Sequence, residues 1–101
     1  MSTEPLRIRV LCVDDHPVVR RCIAALVSVQ PDIELVGDAG DGREAIRQFR
    51  ANRPNVTLMD QQMPKMGGLD ALIAIRGEFP DARIVVLTRT AARVCVRARI
   101  A

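Results

Sequence analysis

Four residues able to do chemistry each come at the end of a short apolar run or directly after one: Asp14, Asp15, Asp60 and Thr88. If these runs are parallel strands, their carboxyl ends meet at one edge of a sheet, where open α/β sheets bind ligands. Three carboxylates gathered there repel one another unless a cation joins them. Mg²⁺ suits such a site, because it takes oxygen ligands from one or two carboxylates, water and a phosphate. We therefore expect a Mg²⁺-binding crevice with a hydroxyl beside it.

Each aspartate taken alone has an ordinary structural explanation. Asp14 or Asp15 could cap the helix that follows, and one aspartate after a strand is common in loops. Their joint placement after separate strands, with Thr88 at a third, favours a functional site over this explanation.

Short apolar strands alternate with amphipathic helices along the chain. Strands are predicted over 8–13, 33–38, 56–59 and 84–87, with helices after Pro17, after Asp41 and from Leu69. Asp41 and Glu44 resemble a capping box at the start of the second helix. This β-α-β-α-β-α-β order predicts an open parallel sheet with helices on both faces.

The composition indicates one domain with a single core, since 49% of the 101 residues are hydrophobic. It excludes a disordered tail, a membrane span and a secretory signal. The net charge of +3 comes from the end of the chain, where residues 88–101 hold four arginines and no acid. Residues 1–87 carry 11 basic and 12 acidic residues, so the body of the chain is slightly acidic.

The three cysteines do not have the spacing of a zinc site or of a disulfide framework. Cys12 lies in an apolar run and Cys22 on an apolar helical stripe, so we expect both to be reduced core residues. Nothing here requires an oxidising compartment, and a cytoplasmic location is expected.

Three ordered motifs carry a resemblance to a known family: Val-Asp-Asp-His-Pro at 13–17, Leu-Met-Asp-Gln-Gln-Met-Pro-Lys-Met-Gly-Gly at 58–68, and Ile-Val-Val-Leu-Thr at 84–88. Over about residues 6–88 the chain resembles the receiver domain of bacterial two-component response regulators. The stretch Asp-His-Pro-Val-Val-Arg is similar to the subgroup with a LuxR-type helix-turn-helix output domain. The resemblance implies a flavodoxin-like (CheY-like) doubly wound parallel sheet with strand order 2-1-3-4.

The resemblance also implies roles for individual residues. Asp60 would be the phosphoacceptor, attacking the phosphohistidine of a sensor histidine kinase. Mg²⁺ would be bound by Asp15 directly, by Asp14 mainly through water, by Asp60, and by the main-chain carbonyl of Gln62. Thr88 would donate a hydrogen bond to a phosphoryl oxygen. Such a domain is not an enzyme beyond Mg²⁺-dependent autophosphorylation and dephosphorylation.

Two polar neighbours of these motifs have plainer explanations. His16 is expected to be a loop residue, because phosphate-carrying histidines project from helices. Lys65 is expected to be solvated on the loop past Pro64.

The chain departs from the family pattern after its fourth strand. The family's fifth strand carries a lysine that pairs with the phosphoryl group, yet no lysine follows Lys65. A charge-assisted hydrogen bond contributes about 1.5–3 kcal/mol, so its loss predicts impaired activity. We therefore expect a single truncated receiver over 1–101, with an atypical arginine-rich tail at 89–101 and an exposed edge on the fourth strand.

The tail could form either of two structures. As a helix it would place Ala91, Val94, Cys95 and Ala98 on one face, and this alternative is favoured. As a strand it would have to pair antiparallel or with another molecule, because a parallel crossover needs about a dozen residues.

Two further expectations concern partners. Either structure of the tail predicts self-association over the open edge, as a homodimer or a domain-swapped oligomer. A noncatalytic interaction module that self-associates in this way is the alternative function. Direct nucleic-acid binding is not expected, because no aromatic residues or helix-turn-helix accompany the arginines.

Overall fold

A computed structural model of the chain describes residues 7–63 and 65–87 together with the backbone of 94–97. Eight elements follow one another along it: β1 (Ile8–Val13), α1 (Pro17–Ser28), β2 (Ile33–Ala39), α2 (Gly42–Asn52), β3 (Val56–Asp60), α3 (Gly68–Glu78), β4 (Ile84–Leu87) and β5 (Val94–Arg97). Within these ranges, no helix is both long and apolar enough to cross a membrane.

The strands form one sheet in the order β2-β1-β3-β4-β5. β1 pairs in parallel with β2 on one side and with β3 on the other, and β3 pairs in parallel with β4. The predicted fold class, a CheY-like α/β sheet with four parallel strands in the order 2-1-3-4, is thereby confirmed. The connection after β1 leads to β2 on one side of β1, and the connection after β2 leads to β3 on the other side. Because the two connections run in opposite directions, a crevice opens beyond the carboxyl ends of β1 and β3.

The main core lies between the sheet and the pair of helices α2 and α3. Alternate residues of the central strands point into it, among them Leu11, Val13, Met59 and Ile84, each at most 1% exposed. Phe49 of α2 completes this core from the helix side. Because right-handed crossovers in opposite directions leave helices on opposite faces, α1 covers the other face of the sheet.

Helix α1 differs from the other two helices in having no buried residue. Leu26 is 68% exposed, and Cys22 is also exposed. The expectation that Cys22 is a core residue is therefore wrong, since its stripe on α1 points away from the sheet. Cys12 is buried as expected, and burial raises the pKa of its thiol to about 11, with the negative charges of Asp14 and Asp38 adding to the effect.

The end of the chain corrects two expectations. Residues 94–97 form a strand and not the favoured helix, and this strand pairs antiparallel with β4. Only the six residues 88–93 separate β4 from β5, which is too short for a parallel crossover but enough for an antiparallel return. The expectation of an open β4 edge is also wrong, because Ile84 to Leu87 are paired with β5 along their whole length.

Candidate functional site

Asp14 follows β1 and is held from two sides. Its amide nitrogen donates to the carbonyl oxygen of Ala39 at 3.0 Å, which extends the β1–β2 pairing by one residue. Its own carbonyl oxygen accepts from Nη1 of Arg20 at 2.6 Å, and Nε of the same guanidinium lies 3.2 Å from Asp38 Oδ2. Asp14 is 7% exposed, so its carboxylate is fixed at the edge of the sheet and largely withdrawn from solvent.

Asp60 is the last residue of β3 and is 3% exposed. The loop that follows it closes on itself, because the amide of Gly68 donates to the carbonyl oxygen of Gln61 at 2.9 Å. A Cβ atom at position 68 would lie 2.2 Å from the carbonyl oxygen of Asp60. Only glycine therefore lets helix α3 begin this close to the end of β3.

The structure brings Asp14, Asp15, His16 and Asp60 together. One ligand atom from each of these four residues lies within 4.8 Å of the others. Nδ1 of His16 is 2.8 Å from Asp14 Oδ1 and 2.9 Å from Asp15 Oδ1. The convergence of three carboxylates at one sheet edge, predicted from the ends of the strands, is thus present.

The remaining predicted site residues have different outcomes. The backbone amide of Gln62 donates to Asp60 Oδ1 at 3.3 Å. The role of the Gln62 carbonyl as a metal ligand stays a prediction. Thr88 and Pro64 lie outside the described residues. Lys65 is exposed with a φ of 69°, in the left-handed region. The pKa of Asp41 is lowered mainly by the hydrogen bond from the amide of Glu44, and the positive charge of Lys65 adds to this effect.

The expectation for His16 missed its part in the cluster. His16 does lie between β1 and α1, where its extended backbone serves as the N-cap residue of the helix. Its amide nitrogen donates to Asp14 Oδ1 at 2.8 Å, and this turn brings the ring back over the carboxylates. The available signal was its position directly after two aspartates and before Pro17, which fixes the start of the helix.

The donor set fits a divalent cation. Asp15 Oδ1 is a buried oxygen that makes no hydrogen bond, and an unsatisfied buried carboxylate oxygen is unfavourable. An octahedral ion with ligands at about 2.1 Å has neighbouring ligand atoms about 3.0 Å apart and opposite ones about 4.2 Å apart. The four ligand atoms of the cluster all lie within 4.8 Å of one another, which is near the larger of these two distances, so side-chain movements could bring them around one ion.

Comparison with protein families gives a match over residues 10–100 to the response regulator receiver domain. The chain is 47% identical to the transcriptional regulatory protein LiaR of Bacillus subtilis over 81 residues, which are 80% of this chain and 38% of LiaR. It is 40% identical to the response regulator protein VraR of Staphylococcus aureus over 83 residues, or 82% of this chain and 40% of VraR. The chain therefore spans about two fifths of the length of these curated relatives.

Solved structures show the same similarity. The response regulator domain of Thermotoga maritima CheB superposes with a TM-score of 0.78 at 35% identity, covering 85% of this chain and 66% of that one. The signal receiver domain of NarL from Mycobacterium tuberculosis also gives a TM-score of 0.78, at 32% identity, covering 83% of this chain and 68% of that one.

Proposed function

Since this chain belongs to the response regulator receiver family, we propose that it accepts a phosphoryl group on Asp60 from the phosphohistidine of a sensor kinase, in the cytoplasm and with Mg²⁺. One observation supports this most strongly. The Asp60 carboxylate is buried at the carboxyl end of β3, with the side chains of Asp14 and Asp15 within 4.8 Å. A carboxylate nucleophile beside two others is the arrangement that metal-assisted phosphoryl transfer to aspartate needs.

The transfer forms one bond and breaks one. An oxygen of the Asp60 carboxylate attacks phosphorus in line with the phosphohistidine P–N bond, whose electron pair stays on the leaving imidazole. The chain supplies the nucleophile and holds it in place, because the hydrogen bond from the Gln62 amide fixes Asp60 Oδ1. Burial of the carboxylate also removes part of the water that would otherwise have to be displaced.

In this proposal Asp15, Asp14, Asp60 and the carbonyl of Gln62 hold the Mg²⁺. The ion, when bound, neutralises charge on the transferring phosphoryl group. Arg20 supports the ligands indirectly, since its guanidinium bonds the Asp14 carbonyl and lies against Asp38. Thr88 would donate a hydrogen bond to a phosphoryl oxygen.

We expect the transfer to be slow compared with that of a receiver containing the family lysine. Residues 66–101 contain no lysine, so no ammonium group from this part of the chain can pair with the phosphoryl oxygens. The loss of one charge-assisted hydrogen bond, about 1.5–3 kcal/mol, corresponds to a rate reduced on the order of 10–100-fold.

The alternative, a noncatalytic module that self-associates through an open β4 edge, has less support. β5 occupies the hydrogen-bonding groups on that side of β4. A homodimer or domain-swapped oligomer would therefore need another surface or the displacement of β5.

The test is phosphorylation by acetyl phosphate and Mg²⁺, followed by intact-protein mass spectrometry. Wild type should gain one acyl phosphate, which hydroxylamine removes, and Asp60→Asn should gain none. Asp81→Asn is the matched control, because Asp81 lies beyond α3 at the opposite end of the sheet and should be phosphorylated like wild type. A wild-type protein that stays unphosphorylated, or an Asp60→Asn protein phosphorylated equally well, would refute the proposal.

A further inference from the structure

We propose that the imidazole of His16 is a further ligand of the divalent ion, and that it gives this site a preference for first-row transition ions over Mg²⁺. The inference deepens the proposed function, because it concerns the identity of the ion in the same site. It assigns to His16 a specificity-determining role that its position in a loop does not suggest.

The first support is the position of the ring nitrogen. Nδ1 of His16 lies 2.8 Å from one carboxylate oxygen and 2.9 Å from another. In an octahedral site with ligand distances of about 2.1 Å, neighbouring ligand atoms are about 3.0 Å apart. Nδ1 is therefore already at about the spacing of an adjacent ligand from each of these two carboxylate oxygens.

The second support is that hydrogen bonding does not account for both contacts. Nδ1 carries at most one hydrogen, and it has hydrogen-bond geometry toward Asp14 Oδ1. Asp15 Oδ1 is equally near the ring nitrogen, yet it is buried and makes no hydrogen bond. A cation shared by the nitrogen and the two oxygens would satisfy all three atoms.

The third support is that the backbone holds the ring over the cluster. The His16 amide donates to Asp14 Oδ1 at 2.8 Å, which closes a tight turn. Pro17 follows at the first position of α1, where its fixed φ sets the direction of the helix. The ring is therefore placed by a short and rigid segment, so ligation would require little loss of side-chain freedom.

The preference follows from donor chemistry. Mg²⁺ favours oxygen ligands, whereas imidazole suits Zn²⁺, Ni²⁺, Cu²⁺ and iron. Replacing one oxygen or water ligand with a ring nitrogen should strengthen binding along the series from Mn²⁺ to Ni²⁺ and leave Mg²⁺ binding little changed. Asp14, Asp15 and Asp60 supply the charge for any of these ions, and His16 decides among them.

A spectroscopic test can detect the nitrogen directly. His16 is the single histidine of the chain, so in untagged protein a bound imidazole can come from no other residue. Pulsed electron paramagnetic resonance of the Mn²⁺-loaded protein should show modulation from a directly bound ¹⁴N in wild type and none in His16→Gln. Absence of this modulation from the wild-type Mn²⁺ complex would overturn the inference.

Calorimetric titration tests the preference itself. His16→Gln and His16→Asn should bind Co²⁺ at least about tenfold more weakly than wild type does. Loss of a residue that only orients a metal ligand already weakens metal binding by about 10–100-fold, so loss of a ligand should cost at least as much. Their Mg²⁺ affinities should stay within about twofold, and Asp81→Asn should match wild type for both ions. Equal losses for Co²⁺ and Mg²⁺ would mean that His16 only positions Asp14, and would refute a ligand role. Two variants are used, with circular dichroism of each, so that a misfolded protein is recognised.

Failure of this inference can be told apart from failure of the proposed function. If acetyl phosphate and Mg²⁺ phosphorylate Asp60 but the Mn²⁺ complex lacks ¹⁴N modulation, the phosphoacceptor role stands and the His16 role falls. If the modulation is present but Asp60 gains no phosphate, the ligand role of His16 stands without the proposed function.

Discussion

At the scale of single residues, the position of the phosphoacceptor candidate depends on a residue with no side chain. Gly68 starts α3 directly behind Asp60, where an added Cβ would meet three backbone atoms at 2.2–3.0 Å. None of these atoms belongs to a flexible side chain, so the backbone itself would have to move. The loop that follows Asp60 and the carboxylate would be displaced together.

We therefore expect Gly68→Ala to lower the free energy of unfolding by about 1–3 kcal/mol, the range for overpacking a well-packed site. It should also slow phosphorylation of Asp60. The matched control is Gly77→Ala on the same helix, where an added Cβ meets nothing within 4 Å. That change should stabilise the protein by about 0.5–1 kcal/mol, because alanine is the better helix former. Urea unfolding of both variants checks the pair, and equal effects of the same sign would contradict the close approach.

The sequence predicts part of the site at this scale and not the rest. Asp14, Asp15 and Asp60 could be grouped because strand ends meet at one edge, a property of the backbone alone. The ring of His16 could not be placed, because its direction depends on a hydrogen bond from its own amide to Asp14. That bond is a detail of one turn, and no periodic pattern reports it.

At the scale of elements, α2 begins as the sequence predicts. Asp41 is its N-cap, and its side chain accepts from the amide of Glu44 at 2.9 Å. This hydrogen bond is the main reason why the pKa of Asp41 is lowered from its ordinary value of 3.8. Only this half of the capping box is seen in the structure, since the Glu44 carboxylate binds Arg47 and Gln48.

The lowered pKa of Asp41 predicts a pH dependence with a definite sign. A carboxyl group with a lower pKa in the folded state stabilises fully above its unfolded pKa of 3.8, and this stability is lost as the pH falls through the folded value. Asp41→Ala should lower the melting temperature by a few degrees at pH 6. The difference from wild type should shrink as the pH drops below about 3.8.

Asp41→Asn is the control for this prediction, because asparagine caps a helix well and does not titrate. Its melting temperature should be close to that of wild type at pH 6. It should fall less steeply than wild type does between pH 4 and pH 2. Parallel pH curves for the three proteins, followed by circular dichroism, would mean that the cap contributes no charge-dependent stability.

The secondary structure of residues 94–97 could not be predicted from the sequence. The sequence of residues 94–97 alternates as a strand would, but its neighbours also fit a helical stripe. The choice is made by β4, whose backbone edge offers hydrogen bonds to a segment only six residues away. A pattern within 14 residues carries no information about that partner.

At the scale of the whole molecule, the two faces of the sheet are unequal. The face under α2 and α3 holds the main core, while no residue of α1 is buried on the other face. The sequence predicts helices on both faces but not this difference. The apolar stripe of α1 has the same spacing as a core-facing stripe would have.

The difference in burial between the two faces predicts very different effects on stability for two similar substitutions. Ile75→Ala should cost about 2–5 kcal/mol, because Ile75 is 1% exposed in the core beneath α3. Leu26→Ala should change stability by less than about 0.5 kcal/mol, because Leu26 is 68% exposed. Urea unfolding of the two variants makes the comparison. A large loss for Leu26→Ala would show that α1 is covered by another surface in solution.

The position of β1 and β3 in the sheet has a consequence for the site over time. These two strands are adjacent and interior, with β2 outside β1 and β4 and β5 outside β3. Fraying of a sheet starts at its margins, where hydrogen bonds are lost first. The margins here are β2 and β5, and neither carries a carboxylate of the cluster. Local breathing of β5 therefore leaves the spacing of Asp14, Asp15 and Asp60 intact. Opening of β2 would instead release the amide of Asp14 from the carbonyl oxygen of Ala39, so the lifetime of the ion site depends on one border strand and not on the other.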